Sequence, residues 1–204
     1  MNAPTPAAPR EPFADPTALG LIGLAAGCAA LVPVALGQAV SPAALETAAW
    51  FCLLFGGGGQ LVAGLVSLAN HNLFGGTLFT AFSFNWFLNG RVLLRLAEGV
   101  APDPAVTFAV DVAFLLVFVV MTVGFAYFSA LLAAFLGDIV LLYVFRILAH
   151  LTGSPAFTLP IVACTVLLAG ISLWIAFATL LNPVAGRAVF PVPGPLLRPR
   201  TPSA

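Results

Sequence analysis

The chain has 204 residues, of which 61% are hydrophobic and 7% charged, and its seven arginines balance seven acids with no lysine present. A soluble domain carries about 25% charged residues, and a chain of this size has too few polar groups here to cover a water-facing surface. An ordinary soluble globule is therefore excluded, as is a nucleic-acid binder, which needs a basic stripe; the solvent that fits is a lipid bilayer.

A helix crosses the hydrocarbon core with about 20 mostly apolar residues. The first such run extends from Thr17 to about Val40. Ser41-Pro42 has the form of an N-cap with proline at the first helical position, and it opens a second helix to about Ala69. After the polar turn Asn70-His71-Asn72, a third helix runs from about Phe74 to Ala97. The breaker Glu98-Gly99-Val100-Ala101-Pro102-Asp103-Pro104 follows. The stretch Ala105–Leu151 is apolar for about twice the length of one span, so it must fold back, and Tyr127-Phe128-Ser129 is the expected turn. Thr152-Gly153-Ser154-Pro155 is another turn, and a sixth helix ends near Asn182-Pro183. The expectation is an all-α polytopic membrane protein of six transmembrane helices enclosing a pore within the protomer. A transmembrane β-barrel would need strictly alternating segments of about ten residues. The proline-rich tails 1–15 and 192–204 are expected to be disordered, leaving 16–191 as the transmembrane domain.

Arginine placement orients this arrangement. Arg10, Arg187, Arg198 and Arg200 fall on the side of the termini, and Arg91 and Arg95 near the other. The excess puts both termini in the cytoplasm of a protein of the inner (plasma) membrane. A rival reading of the N-terminus takes Leu24-Ala25-Ala26-Gly27-Cys28 as a lipoprotein cleavage box, but the basic region expected upstream is missing, because Arg10 is offset by Glu11 and Asp15. Cys28, Cys52 and Cys164 lie within the expected spans, at spacings that suggest neither a metal site nor a disulfide framework. No cofactor is expected.

No phosphate loop, paired metal-ligand histidines or nucleophile motif is present, which argues against an enzyme. His71 and His150 sit at a loop and near a helix end, where a histidine is usually just solvated. Gly23-x-x-x-Gly27 and Gly56-Gly57-Gly58-Gly59 read as faces for close helix packing. In the second helix Gly56, Gly57, Gln60, Ala63, Gly64 and Ser67 recur at three- and four-residue spacing and share one small, polar face. Gln60 would lose its hydrogen bonds in lipid, so it faces another helix or a water-filled path. In the third helix Leu78, Phe82, Asn85 and Asn89 line up along one side, either lining a conduit or bonding to neighbouring helices. Arg91 and Arg95, near its end, either snorkel to the interface or attract anions at a pore mouth. Asp111, Asp138 and Arg146 are costly inside a membrane and need partners, with Arg146 able to pair with either acid. Asp138 lies near the interface instead if the fifth helix starts late.

Asp15-Pro16-Thr17-Ala18-Leu19-Gly20-Leu21 resembles the NPAPLGL signature of the acetate uptake transporter family. Phe55-Gly56-Gly57-Gly58-Gly59-Gln60-Leu61-Val62-Ala63-Gly64 resembles its YGGxxQxxAG, and Asn72-Leu73-Phe74-Gly75-Gly76-Thr77-Leu78-Phe79 its NTFGxTAF. Leu181-Asn182 with Gly186-Arg187-Ala188-Val189-Phe190-Pro191 resembles the closing LN…GRTVLP. The matches are in order and span about residues 15–191. The resemblance implies a six-helix protomer assembled as a homo-hexamer, with one pathway per protomer for small monocarboxylates or succinate and with protons as a coupling partner. It places the apolar constriction on Leu24, Phe82 and Leu141, where the family carries Phe, Tyr and Leu. Gln60, Asn72 and Trp86 match outright.

The chain diverges from the family in several places. Asp15 and Ala18 replace Asn and Pro in the first signature, and Leu73 stands for Thr. Ser67 and Thr179 replace acids, while Asp111, Asp138 and Arg146 add charges.

A bare carboxylate is expensive in hydrocarbon. Amide and hydroxyl donors lower that cost, and an apolar narrowing gates by size and dewetting. Gln60, Ser67, Thr77, Asn85 and Asn89 are the expected donors, together with Asn72 by resemblance, and the helix N-termini near Pro16 and Phe74 add positive dipole ends. A passive or proton-linked carrier or channel for small carboxylates, acetate or succinate, is the first reading. A channel for another small solute such as ammonium, and a non-transporting scaffold or acid sensor, are the alternatives.

Overall fold

The computed structural model describes residues 12–198. The outer parts of both proline-rich tails, with Arg10 and Arg200, lie outside the described residues. The rest is helical, with no strand among the described residues: α1 (Thr17–Ala35), α2 (Pro42–Ala69), α3 (Leu73–Ala97), α4 (Pro104–Phe125), α5 (Ala130–Thr152) and α6 (Thr158–Ala185), the last preceded by a 3₁₀ turn at Pro155–Phe157. Five of the helices are long and apolar enough to cross a membrane. The sixth, α3, has 25 residues and a length of about 37 Å. It is less apolar because it carries Asn85, Asn89, Arg91 and Arg95. The chain is a multi-pass membrane protein.

The punctuation that marks helix starts in the sequence is the chemistry that caps them. Ser41 accepts from Ala44 N–H, Asn72 from Gly75 N–H, Asp103 from Val106 N–H and Ser129 from Leu131 N–H, each satisfying an otherwise orphaned donor. Proline follows the cap in α2 and α4. The expected turn at 127–129 separates α4 from α5.

Two boundaries and the winding of one helix differ from expectation. Helix α1 ends at Ala35 instead of Val40, because Gly37 turns left-handed (φ 70°) and the Pro33 carbonyl takes Gln38 N–H and Ala39 N–H in a tight closing turn. Helix α6 runs through Pro183 to Ala185 and stops at left-handed Gly186. Helix α2 is π-wound over Cys52–Gly59, between α-helical halves, a device common at functional sites.

The helices go up and down in chain order and close into a ring, with α6 packed on α1. The seam between α3 and α4 is the loosest contact of neighbours. Small residues set the tight side of the ring. The Trp86 ring lies between Gly27 of α1 and Gly56 of α2, where a Cβ would come within 2.9 Å and 2.5 Å of it. A Cβ on Gly23 would run into the Phe55 carbonyl. Outward faces carry exposed large apolar residues such as Leu54, Leu65, Leu116, Val120 and Leu159, the surface a lipid-solvated protein presents.

Residues just outside the helices are tied down by the same device at both ends. The Asn70 carboxamide accepts from Phe13 N–H (3.0 Å) and donates to Phe13 C=O (3.0 Å). Asn182 accepts from Phe190 N–H (3.0 Å) and donates to Phe190 C=O (2.8 Å). Beyond it, Pro193 C=O accepts from Ser129 Oγ, Gly194 C=O from Ala130 N–H, and Ala126 C=O takes Leu196 N–H and Leu197 N–H. The disordered tail expected from 192 is thus a strap over the α4–α5 turn as far as Leu197. Its prolines lack donors, but its carbonyls meet the Ser129 hydroxyl and the free Ala130 N–H at the start of α5. Replacing Asn182 with alanine breaks both carboxamide bonds; the expected cost is about 1–2 kcal/mol, seen as faster limited proteolysis after Ala185 with the helical core intact.

Candidate functional site

A cavity lies where α1, α3, α5 and α6 face one another in the half of the ring away from the termini. Asn85 and Asn89, one turn apart on α3, look into a cavity of about 190 Å³, large enough for several waters or a small organic anion. Phe82, Trp86 and Leu168 form its apolar wall, and Tyr143, Arg146 and Thr165 add polar groups. A second cavity, of about 410 Å³, opens between α3 and α4 along the loose seam. The two share Asn85, Asn89 and Arg146.

Arg146 pairs with Asp111, Nη2 to Oδ1 at 2.9 Å and Nε to Oδ2 at 3.1 Å. Of the two partners considered from the sequence, it is Asp111 on α4, not Asp138 on the same helix. The guanidinium also lies over the Tyr143 ring, 5.4 Å from its centroid. Beneath it, Phe82, Phe114, Phe118 and Tyr143 stack between α3, α4 and α5, with Phe82 edge-on to Phe118 at 4.9 Å and Tyr143 5.5 Å from Phe118.

At the opposite end, Asp15, Thr17, Ser67, Asn70 and Asn72 line a cavity of about 100 Å³ at the starts of α1 and α3, where the Asp15 carboxylate takes Thr17 N–H and the Asn72 amide takes Gly75 N–H. Between the cavities the interior is closely packed. Leu24, Gln60 and Phe118 are each 1% exposed and Phe82 4%. Gln60 Oε1 has no partner among the described residues, and neither does Trp86 Nε1.

The polar face assigned to α2 is real: Gly56, Gly57, Gln60, Ala63, Gly64 and Ser67 are all buried. Its glycines are taken up by packing, Gly56 against Trp86 and Gly64 against Thr80. Leu24 and Phe82 occur together in the buried core, but Leu141 does not join them. It is 51% exposed on the outer face of α5. Two positions are a half-turn or more of rotation on a helix, so Tyr143 takes the inward place. Thr77 is exposed and outside the cavities, while Asn72 caps α3 and reaches the smaller one.

Asp138 is buried eight residues into α5, about 12 Å from the helix start, well within the span and not at its end. Both carboxylate oxygens lack a hydrogen-bond partner among the described residues, with the Cys164 thiol beside them. Arg95 pairs with Glu98 at the end of α3 and Arg91 lies in a surface groove with Glu46 and Glu98, so neither arginine faces the cavity. His150 stacks on Phe108. No cluster of metal-binding side chains occurs among the described residues.

Tyr143 is the residue sequence reasoning missed. Phe82 lacks the hydroxyl expected at the constriction, and α5 supplies one from across the ring, near Asn85. The available signal was its position three residues before Arg146, which puts both on one helical face.

No family model and no curated protein matches the chain. Among solved structures, that of the bacterial acetate channel SatP matches with a TM-score of 0.79 at 22% identity, covering 88% of this chain and 99% of that chain. The two share one fold. The six-helix architecture is therefore one that another protein uses as a channel.

Proposed function

We propose that the protein moves small carboxylates of the acetate kind across the membrane, along the axis of each protomer. The observation that carries this reading is the amide-lined cavity walled by Phe82, inside a ring with the fold of an acetate channel. Asn85, Asn89 and Tyr143 offer a carboxylate the hydrogen bonds it loses on leaving water. Gln60 serves it in the closed segment, and Ser67 and Asn72 receive it at the far mouth. Succinate shares the head-group chemistry and is the natural second substrate to test. In this reading the protein lies in the inner membrane with both termini cytoplasmic, assembles as a homo-hexamer with one path per protomer, and uses Asp138 to link flux to protons.

The test is uptake of labelled acetate into proteoliposomes. Saturable uptake is expected, reduced about tenfold by Gln60→Ala, the equivalent of one hydrogen bond in the path. An imposed acid-outside gradient is expected to drive uptake in the native protein and not in Asp138→Asn. Absence of saturable flux of acetate or succinate would refute the carboxylate reading, and native uptake indifferent to the gradient would remove the proton link.

A further inference from the structure

The guanidinium of Arg146 has two edges that fit a carboxylate, and Asp111 occupies only one. Asp111 takes the side edge through Nε and Nη2. Of the five N–H groups of an arginine, both on Nη1 and the second on Nη2 are left without a partner among the described residues. These form the end-on fork, which also matches a carboxylate in bidentate geometry. The two partners differ in access: the Arg146 side chain is 31% exposed and that of Asp111 11%. Arg146 lines both cavities, whereas Asp111 borders only the wider one. The Tyr143 ring fixes the plane of the guanidinium, and Asn85 and Asn89 stand across the same space. An ion pair serving structure alone is a poor bargain in a membrane, where well-packed apolar residues do as well. This one lines a void with three of its five donors idle.

We propose that Arg146 is the anion-recognition point of the pathway: its end-on fork binds one carboxylate group, and Asp111 selects monocarboxylates over dicarboxylates. The inference rests on the carboxylate reading above and adds the residue and the charge rule that set specificity. The Arg146–Asp111 pair is neutral before a ligand arrives. A monocarboxylate brings one negative charge to a cation already half-compensated, a weak site suited to passage. A dicarboxylate brings a second charge beside Asp111, where repulsion is strong at low dielectric, and Arg146 is the one cationic side chain lining the two cavities. Asp111 is here a positioning residue that acts through Arg146.

The experiment compares acetate uptake, with succinate as competitor, in proteoliposomes of four proteins that elute as folded species on size exclusion: native, Arg146→Lys, Asp111→Asn and the double variant Asp111→Asn/Arg146→Gln. Arg146→Lys keeps the charge and loses the fork; it is expected to raise the acetate half-saturation about tenfold with the maximal rate retained. Asp111→Asn is expected to shift competition toward succinate by about tenfold. The double variant, which leaves no charge uncompensated, is expected to lose acetate saturation while remaining folded. Native half-saturation in both Arg146 variants overturns the site, and an unchanged succinate-to-acetate ratio in Asp111→Asn overturns the filter. Should the native protein pass no acetate, the transport reading fails separately. The site is then decided by titrating sodium acetate against sodium chloride at constant ionic strength and following tryptophan fluorescence, since Trp86 lines the same cavity. An acetate-specific change lost in Arg146→Lys supports the fork, and none in the native protein refutes it.

Discussion

Leucine at position 23 is expected to abolish the folded protomer, and alanine there to cost about 1–3 kcal/mol. A Cβ on Gly23 meets the backbone carbonyl of Phe55, and Gly59 Cα is 3.6 Å away. A side chain could rotate aside, but a carbonyl in a helix can move only with the helix. α1 and the π-wound part of α2 must therefore separate, and Trp86 then loses its seat between Gly27 and Gly56. The comparison that isolates this cause is Gly170→Ala and Gly137→Ala, also within spans, where a Cβ meets nothing within 4 Å. Those two are expected to be neutral or mildly stabilising. Fluorescence-detected size exclusion of heated, detergent-solubilised protein measures all of them. Equal melting of Gly23→Ala and Gly170→Ala would show that the close approach does not limit stability.

Phe82→Ala is expected to raise acetate flux about tenfold while lowering stability by about 3 kcal/mol. Phe82 is buried at the floor of the cavity and set edge-on against Phe118. Removing its ring joins the cavity to the closed segment and removes apolar wall that excludes water. Selectivity should fall with it, so that uptake of butyrate relative to acetate is expected to rise. Uptake of both acids, normalised to folded protein in the vesicles, separates a gate from a strut. A strut predicts that flux per folded protein is unchanged or lower.

How much of this was legible beforehand differs between fold and site. Composition and the length of the apolar runs are enough for six spans, because the bilayer thickness sets the length of a helix and the lack of water forbids open backbone. Caps are local, so Ser41, Asn72, Asp103 and Ser129 announce helix starts three residues at a time. The inward face of α2 followed from helical spacing. The strap at 193–197 did not, since its carbonyls bond to a turn more than 60 residues earlier, and proline content says nothing of such partners. Leu141 shows the same limit: its place came from a resemblance, and the rotation of α5 about its own axis is set by what it packs against.

The amino-acid sequence by itself determined that this is a polytopic helical membrane protein, where its helices turn, and that amides and charges lie within them, because these follow from transfer free energies and local hydrogen bonds. Only the tertiary structure decided that Asp111 takes Arg146 while Asp138 stays alone, that Tyr143 and not Leu141 points inward, and that two cavities meet at one guanidinium. Those outcomes depend on which faces of separate helices meet, and nearly every face of such helices is apolar enough to be buried or to meet lipid. Burial alone therefore does not choose among rotations; close contacts such as Gly23 on Phe55 and Trp86 between two glycines do.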